Sequence, residues 1–151
     1  MTKNKCRFCE ILERRDEPMI WESKNFFAVL DVFPNYVGNT LVISKEHLPS
    51  DLFGLSNQYI SKCMIAAKKV TKILKKGLAV ERIAMVMEGQ GINHLHIKLY
   101  PLHGLKKGKF ESIWATQKVF FQKYPGYITT QLGEKIDQKN LLKLINKIKS
   151  A

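Results

Sequence analysis

The sequence has few cysteines, no long apolar run and few acidic residues. Each of these features excludes or disfavours one class of protein. Three cysteines are an odd number, which argues against a disulfide framework. No apolar stretch approaches the ~20 residues that span a bilayer, so we expect no membrane partner. Residues 1–5 are polar and do not begin an apolar leader, so we expect a cytoplasmic protein.

The acidic deficit leaves a strongly basic chain. Lysine and arginine number 25 against 13 aspartates and glutamates, a formal net charge of +12. Such a field favours anionic partners, which include nucleic acids and phosphorylated small molecules. The lysines are spread along helix-like segments, where a solvated face explains them equally well. No regular basic–aromatic interleaving is present, so a nucleic-acid partner is not expected.

Length and periodicity predict an α+β domain with a C-terminal helical extension. Runs of β-branched residues between turn residues predict a mainly antiparallel sheet of about five strands. The predicted strands are residues 19–22, 26–32, 40–44, 82–87 and 92–100. A short helix is expected over residues 6–15. The stripe Ile60, Cys63, Met64, Ala67, Val70 and Leu74 predicts one long helix over 57–76, packed on the sheet, with Gly77 as its C-cap.

The last part of the chain is less regular. We assign residues 1–104 to the main domain and residues 105–151 to an extension that packs on that domain or on a partner subunit. Residues 113–124 are expected to form a helix, and Asp137 to cap a final one. Several side chains of the extension are interpreted either as packing groups or as residues that reach the active site. They are Trp114, Tyr124, Tyr127, Thr129, Thr130 and Gln131.

Residues 94–101 carry the clearest chemical pattern. Alternate side chains of a strand share a face, so His94, His96 and Lys98 point the same way. Three potentially cationic groups in a row are costly unless an anion or a metal meets them, although a solvated sheet face gives the same alternation. The intervening residues, which we expect in the core, are Leu95, Ile97 and Leu99.

This pattern suits chemistry on a phosphate. A neutral imidazole can attack phosphorus, and the phosphoramidate intermediate splits one hard displacement into two. Its other ring nitrogen must be tied to an acceptor, so that the attacking nitrogen is free. Lys98 can bind phosphate oxygens as a point charge. The glycine turn at residues 89–91 can let backbone amides approach the same oxygens.

Taken with three upstream segments, the strand resembles the histidine triad (HIT) family of nucleotide hydrolases and transferases. The family signature is His-x-His-x-His followed by two apolar residues, after a turn that contains Gly-Gln. The matching segments occur in the family's order at residues 6–11, 27–34, 38–47 and 94–101. The resemblance covers about residues 6–103, and the segments together are specific although each alone is weak.

The resemblance implies a reaction and a role for each matching residue. His96 falls on the family nucleophile, which attacks the α-phosphate and forms a nucleotidyl-histidine that water hydrolyses. The implied substrate is a purine nucleotide derivative, either a dinucleoside polyphosphate or a nucleoside phosphoramidate. The implied assembly is a homodimer, and no catalytic metal is expected. Asp31 matches the group that binds the ribose, and Gln90 and Gly91 match the phosphate turn. The implied base pocket consists of Phe8, Ile11, Val29 and Val32, which are otherwise ordinary core residues.

Two departures from the family pattern bear on activity. Lys98 replaces the third histidine, so positive charge is kept while acid–base chemistry near neutral pH is lost. Met87 stands where many members carry an asparagine, and the turn before the motif is shorter than usual. The alternative function is therefore a catalytically weak nucleotide-binding or adaptor protein on the same fold.

Cys6 and Cys9 have the spacing of half a zinc site. Family members that open with Cys-x-x-Cys imply that His47 and His94 complete a structural Cys2His2 zinc site. In the alternative interpretation the thiols are reduced and unliganded, and His94 only orients its neighbours. A redox pair is less favoured, because the flanking residues lack the strand–helix context of such motifs.

Overall fold

The computed structural model describes residues 6–108 and 115–150. The chain divides into two compact units, Met1–Phe110 and Glu111–Ala151. The first contains α1 (Arg7–Arg14), β1 (Met19–Glu22), β2 (Phe26–Leu30), β3 (Thr40–Ser44), a 3-10 turn (Leu52–Gly54), α2 (Asn57–Leu78), β4 (Arg82–Val86) and β5 (His96–Leu102). The second contains α3 (Gln138–Lys149). No helix within the described ranges is long and apolar enough to cross a membrane.

The five strands form one sheet in the order β1-β2-β3-β5-β4, and every neighbouring pair is antiparallel. The α+β prediction, with a five-stranded antiparallel sheet and one long helix, is confirmed. The order places β5 between β3 and β4, where Ile43 pairs with His96 and Val86 pairs with Lys98. Strand β5, which begins with His96, is therefore paired with a neighbouring strand on both sides near its start.

The two faces of the sheet are covered by different helices. On one face, Ala28, Val42 and Ile97 pack with buried residues of α2 such as Val70. The same cluster contains Leu95 and Leu99, in agreement with the predicted alternation. On the other face, Phe27, Val29 and Ile43 pack against Phe8 and Ile11 of α1. Because Ile43 is the cross-strand neighbour of His96, the face that carries His96 and Lys98 is the one that α1 covers.

The strand ends differ from the predictions by short lengths. Strand β2 stops at Leu30 rather than residue 32, because Asp31 accepts a hydrogen bond from the amide of Phe33 (2.9 Å) and starts a turn. Strand β4 ends at Val86, one residue early. Strand β5 begins at His96 rather than residue 92, since the amide of His94 bonds to the carbonyl of Ile92 (2.8 Å) in a turn.

The predicted C-cap of the long helix is wrong. Helix α2 continues through Gly77 to Leu78, and Ala79 takes the left-handed conformation with φ of 52°. Two further helical residues let Leu78 pack against the core cluster on this face of the sheet. Burial of an apolar side chain thus outweighed the local preference of a left-handed cap for glycine.

In the second unit one helix prediction holds and one fails. The side chain of Asp137 accepts a hydrogen bond from the amide of Asn140 (3.0 Å) and caps α3 as predicted. Residues 115–124 are not helical, whereas a helix was predicted over 113–124. Trp114 lies outside the described residues. The ring of Tyr127 packs edge-on against Phe121 at a centroid distance of 5.4 Å within this unit.

We predict opposite stability effects for alanine at two glycines. Gly38 has φ of +80°, and a β-carbon there would overlap Leu78, so Gly38→Ala should lower the free energy of unfolding by about 1–2 kcal/mol. Gly77 lies in α2 with open space around it, so Gly77→Ala should raise that free energy by about 0.5–1 kcal/mol. Urea unfolding measures both. A destabilising Gly77→Ala would contradict a helix that continues through residue 77.

Candidate active site and metal cluster

His94 lies at the centre of the candidate site, fully buried immediately before β5. Its Nε2 hydrogen donates to the carbonyl oxygen of Ser44 at 2.8 Å, which leaves Nδ1 with a lone pair. Burial lowers the pKa of His94, so the ring is held neutral. A neutral imidazole with a fixed tautomer is the form that binds a metal.

The lone pair of His94 faces two cysteine sulfurs. Its Nδ1 is 3.3 Å from Cys6 Sγ and 3.6 Å from Cys9 Sγ, and Cys9 Sγ is 3.2 Å from His47 Nδ1. All four ligand atoms lie within 4.8 Å of one another. A tetrahedral ion with bonds of about 2.3 Å to sulfur and 2.0 Å to nitrogen separates its S and N ligands by about 3.5 Å. The cluster can therefore hold a metal ion of this size.

The cluster joins three distant parts of the chain. Cys6 and Cys9 lie at the start of α1, His47 follows β3, and His94 precedes β5. Burial raises the pKa of Cys9 to about 11, and the adjacent Cys6 thiol adds to the effect. Metal ligation requires thiolates, so a bound cation would supply the charge that stabilises them here. The four residues predicted from the sequence are thus brought together with suitable donor chemistry.

His96 opens β5 with its ring buried, at 5% exposure. Its Nδ1 hydrogen donates to the carbonyl oxygen of His94 at 2.7 Å, so Nε2 keeps its lone pair. Burial lowers the pKa of His96, and the positive charge of Lys98 acts in the same direction. The imidazole is therefore neutral at neutral pH, with one nitrogen held and the other available for attack.

His94 serves both parts of the site. Its side chain faces the cysteines, while its carbonyl oxygen orients His96. Phe8 packs edge-on against both imidazoles, with centroid distances of 5.7 Å to His94 and 5.2 Å to His96. Displacement of His94 would consequently move the acceptor on which the orientation of His96 depends.

Lys98 is paired with a carboxylate that we did not predict. Its Nζ lies 2.5 Å from Glu88 Oε1, and the two side chains are 26% and 13% exposed. Burial disfavours the charged form of Lys98, but the hydrogen bond and the charge of Glu88 outweigh it and raise the pKa. Lys98 thus remains an ammonium. Glu88 lies two positions beyond Val86, the last paired residue of β4, and no local sequence pattern indicated its contact with Lys98.

The turn before β5 is tied to the loop that follows His47. Ser50 Oγ donates to the carbonyl oxygen of Gly89 at 2.7 Å, and the Ser50 amide donates to Asn93 Oδ1 at 3.0 Å. Gly89 has φ of +68°, and a β-carbon there would lie 3.0 Å from the Ser50 carbonyl oxygen. Ser50 and Asn93 fix the turn, and no local sequence pattern singled them out. Gln90 and Gly91 are exposed in this turn.

The residues expected to contact the base and ribose occupy two environments. Phe8, Ile11 and Val29 are buried in the cluster beneath the face that carries His96, at 5%, 5% and 2% exposure. Val32 is 64% exposed in the loop after β2. Asp31, at the start of that loop, is half-buried and interacts electrostatically with His96. The roles of these residues in nucleotide binding stay predictions.

Known proteins share both the sequence and the fold of this domain. The HIT domain profile matches residues 13–104, which is more than half of the chain, so the protein belongs to the HIT family. An uncharacterised HIT-like protein of Saccharolobus solfataricus is 30% identical over 102 residues, 64% of this chain and 73% of its own. The adenosine 5′-monophosphoramidase of Saccharomyces cerevisiae is 26% identical over 121 residues, 78% of this chain and 75% of its own.

A solved structure with bound metal is also similar. The Zn-bound histidine triad family protein of Mycobacterium smegmatis aligns with a TM-score of 0.57 and 28% identity. The alignment covers 70% of this chain and 81% of that protein. The sheet, the long helix and the motif strand described above are thus those of a HIT fold.

Proposed function

We propose that this protein is a nucleotidyl hydrolase or transferase that attacks the α-phosphate of a purine nucleotide derivative through His96 Nε2. One observation carries the proposal, the 2.7 Å hydrogen bond that ties His96 Nδ1 to the carbonyl oxygen of His94. A buried neutral imidazole with a free, oriented nitrogen suits nucleophilic attack on phosphorus. Membership of the HIT family and the yeast phosphoramidase relative support the substrate class.

The proposed reaction has two displacements at phosphorus. In the first, a bond forms between His96 Nε2 and the α-phosphorus, the bond to the leaving group breaks, and the leaving amine or phosphate takes up a proton from solvent. In the second, water attacks phosphorus, the P–Nε2 bond breaks, and the proton lost by water passes to solvent. The products are a nucleoside monophosphate and the neutral imidazole. A second acceptor in place of water would make the reaction a transfer.

Other residues bind and orient the substrate in this proposal. The ammonium of Lys98 contacts phosphate oxygens, and backbone amides of the turn at residues 89–91 approach the same oxygens. The carboxylate of Asp31 accepts hydrogen bonds from the ribose. Its position near the start of β5 supports this role, since it interacts electrostatically with both His96 and Lys98.

We assign the metal cluster to zinc with a structural role. Two cysteines and two histidines are a ligand set that zinc prefers, and the similar Mycobacterium protein is described as Zn-bound. When bound, zinc would cross-link the start of α1, the loop after β3 and the residue before β5. It would also fix His94, whose carbonyl orients the nucleophile. The proposed reaction uses no catalytic metal.

We further propose a cytoplasmic homodimer. The free cysteines suit a reducing compartment. Ile65 and Ile73, two helical turns apart on α2, are 55% and 41% exposed, and Met85 on the edge strand β4 is 45% exposed. A second copy of the chain would cover these apolar side chains.

We predict that a nucleotidyl adduct forms on His96. The protein is incubated with a fluorogenic adenosine phosphoramidate, quenched under conditions that preserve phosphoramidates, and mapped by mass spectrometry. His96→Ala should lose the adduct and reduce turnover by at least about 10³-fold, because the nucleophile is gone. His103→Ala, which changes an exposed histidine outside the motif, should keep both. Turnover that persists in His96→Ala would contradict the mechanism, and nucleotide binding without turnover in the wild type would favour the adaptor function.

We also predict about one zinc ion per chain after purification without chelator, as expected for one Cys2His2 site. Cys9→Ser should lower the zinc content and the thermal midpoint, because it removes a ligand from a cross-link between three segments. Cys63→Ala, which changes the buried cysteine of α2, should keep the zinc. Elemental analysis measures the content, and less than ~0.2 zinc per wild-type chain would contradict a tight structural site.

A further inference from the structure

The pair formed by Glu88 and Lys98 is unusual for an ion pair on this chain. Among the ion pairs of the described residues, its carboxylate is the least exposed, at 13%. The carboxylates of the other pairs, which link α1 and the segments beside it, are 19% to 36% exposed. A carboxylate that is largely removed from water needs a partner, and Lys98 supplies it at 2.5 Å. The pair is therefore a fixed element of the site rather than a solvated surface contact.

The contacts of Glu88 place its carboxylate beside His96 and Lys98. Glu88 follows Val86, which is opposite Lys98 in the β4–β5 pairing, by two residues. Its Oε1 accepts a hydrogen bond from Lys98 Nζ, and its charge interacts electrostatically with His96. His96 and Lys98 are two residues apart on β5 and share a face, so the three side chains lie together. A phosphate that reaches both His96 and Lys98 also comes close to the Glu88 carboxylate.

This placement changes what the lysine does for a substrate. An isolated ammonium would attract any phosphate, and more strongly the more negative the substrate. The Glu88 carboxylate offsets the positive charge of Lys98. The ammonium can still donate a hydrogen bond in a fixed direction, but the pair exerts little net electrostatic attraction. The half-buried carboxylate of Asp31 adds a second negative group nearby. The site can thus bind one phosphate through the positioned ammonium of Lys98. Additional phosphates of a more negative substrate would be repelled by the carboxylates and would find no unpaired lysine to attract them.

We propose that Glu88 is a positioning residue for Lys98, and that the pair selects nucleotide substrates by charge, favouring a neutral or cationic amine leaving group over a polyphosphate. The proposal rests on the proposed function for where the α-phosphate lies. It names the substrate class of that site as nucleoside phosphoramidates. A purely structural ion pair is the competing explanation, and it predicts no effect on substrate choice.

The test compares an adenosine phosphoramidate of a neutral amine with diadenosine tetraphosphate. The ratio of their kcat/KM values is measured for the wild type, Glu88→Gln and Lys98→Gln. Removing the carboxylate should shift the ratio about tenfold toward the tetraphosphate, and removing the ammonium should shift it in the opposite direction. Glu81→Gln is the matched control, because it removes the same charge at the residue that precedes β4, at the opposite end of the strand from Glu88. The ratio of kcat/KM values for this variant should stay that of the wild type.

The charge-swapped double variant Glu88→Lys with Lys98→Glu separates positioning from stability. It should recover the thermal midpoint that single changes lower, because an ion pair is restored, but not the wild-type turnover or ratio. Recovery of turnover and ratio in the swap would overturn the proposal. An unchanged ratio in a folded Glu88→Gln would also overturn it, and Lys98→Gln provides the same test if Glu88→Gln does not fold.

Binding measurements keep this test separate from that of the proposed function. Dissociation constants for both compounds are measured in a His96→Ala background, with and without Glu88→Gln. If the wild type turns over neither compound, the proposed function fails, but a shifted ratio of dissociation constants still supports charge selection. If turnover depends on His96 while neither ratio moves, charge selection fails and the proposed function stands.

Discussion

The hydrogen bond from His96 Nδ1 to the carbonyl oxygen of His94 determines what the rest of the site can do. A carbonyl only accepts, so Nδ1 must carry a hydrogen, and in the neutral ring Nε2 then carries the lone pair. The bond joins residues two apart, and His94 lies in the turn before the strand, where its amide bonds to the carbonyl of Ile92. Strand β5 accordingly begins at His96, after a turn held by Ser50 and Asn93. The tautomer of His96, the proposed nucleophile, thus depends on the backbone at the start of the strand.

The same backbone position links reactivity to the metal cluster and to local charge. The His94 ring is held by Ser44 on one side and faces Cys6 and Cys9 on the other, so the cluster contacts the residue whose carbonyl orients His96. Lys98 lies two residues beyond His96, and the Glu88 carboxylate offsets its positive charge. The whole chain carries a formal charge of +12, but Lys98 beside His96 is paired with a carboxylate. The net charge of the chain therefore does not describe the local charge around His96.

Alternation along the chain predicted that Leu95, Ile97 and Leu99 face the core while His96 and Lys98 face the other side, because successive side chains of a strand point to opposite faces. Runs of β-branched residues between turn residues, and the order of the predicted elements, predicted the antiparallel sheet. Local patterns failed where distant contacts decided the outcome. Gly77 was expected to end α2, but packing of Leu78 extends the helix. The Ser50–Gly89 hydrogen bond joins residues 39 positions apart, so no local pattern indicates it. The contact of Glu88 with Lys98 joins residues 10 positions apart and forms only once β4 and β5 are paired.

The mechanism depends most directly on a buried, neutral His96 that carries its hydrogen on Nδ1. Nitrogen-15 NMR of the imidazoles, with His96→Ala used to assign the resonances, measures this directly in the metal-loaded protein at neutral pH. We expect a protonated Nδ1 and an unprotonated Nε2 that stay so on mild acidification, since burial lowers the pKa of His96. A ring protonated on Nε2 alone, or an imidazolium at neutral pH, would contradict this mechanism.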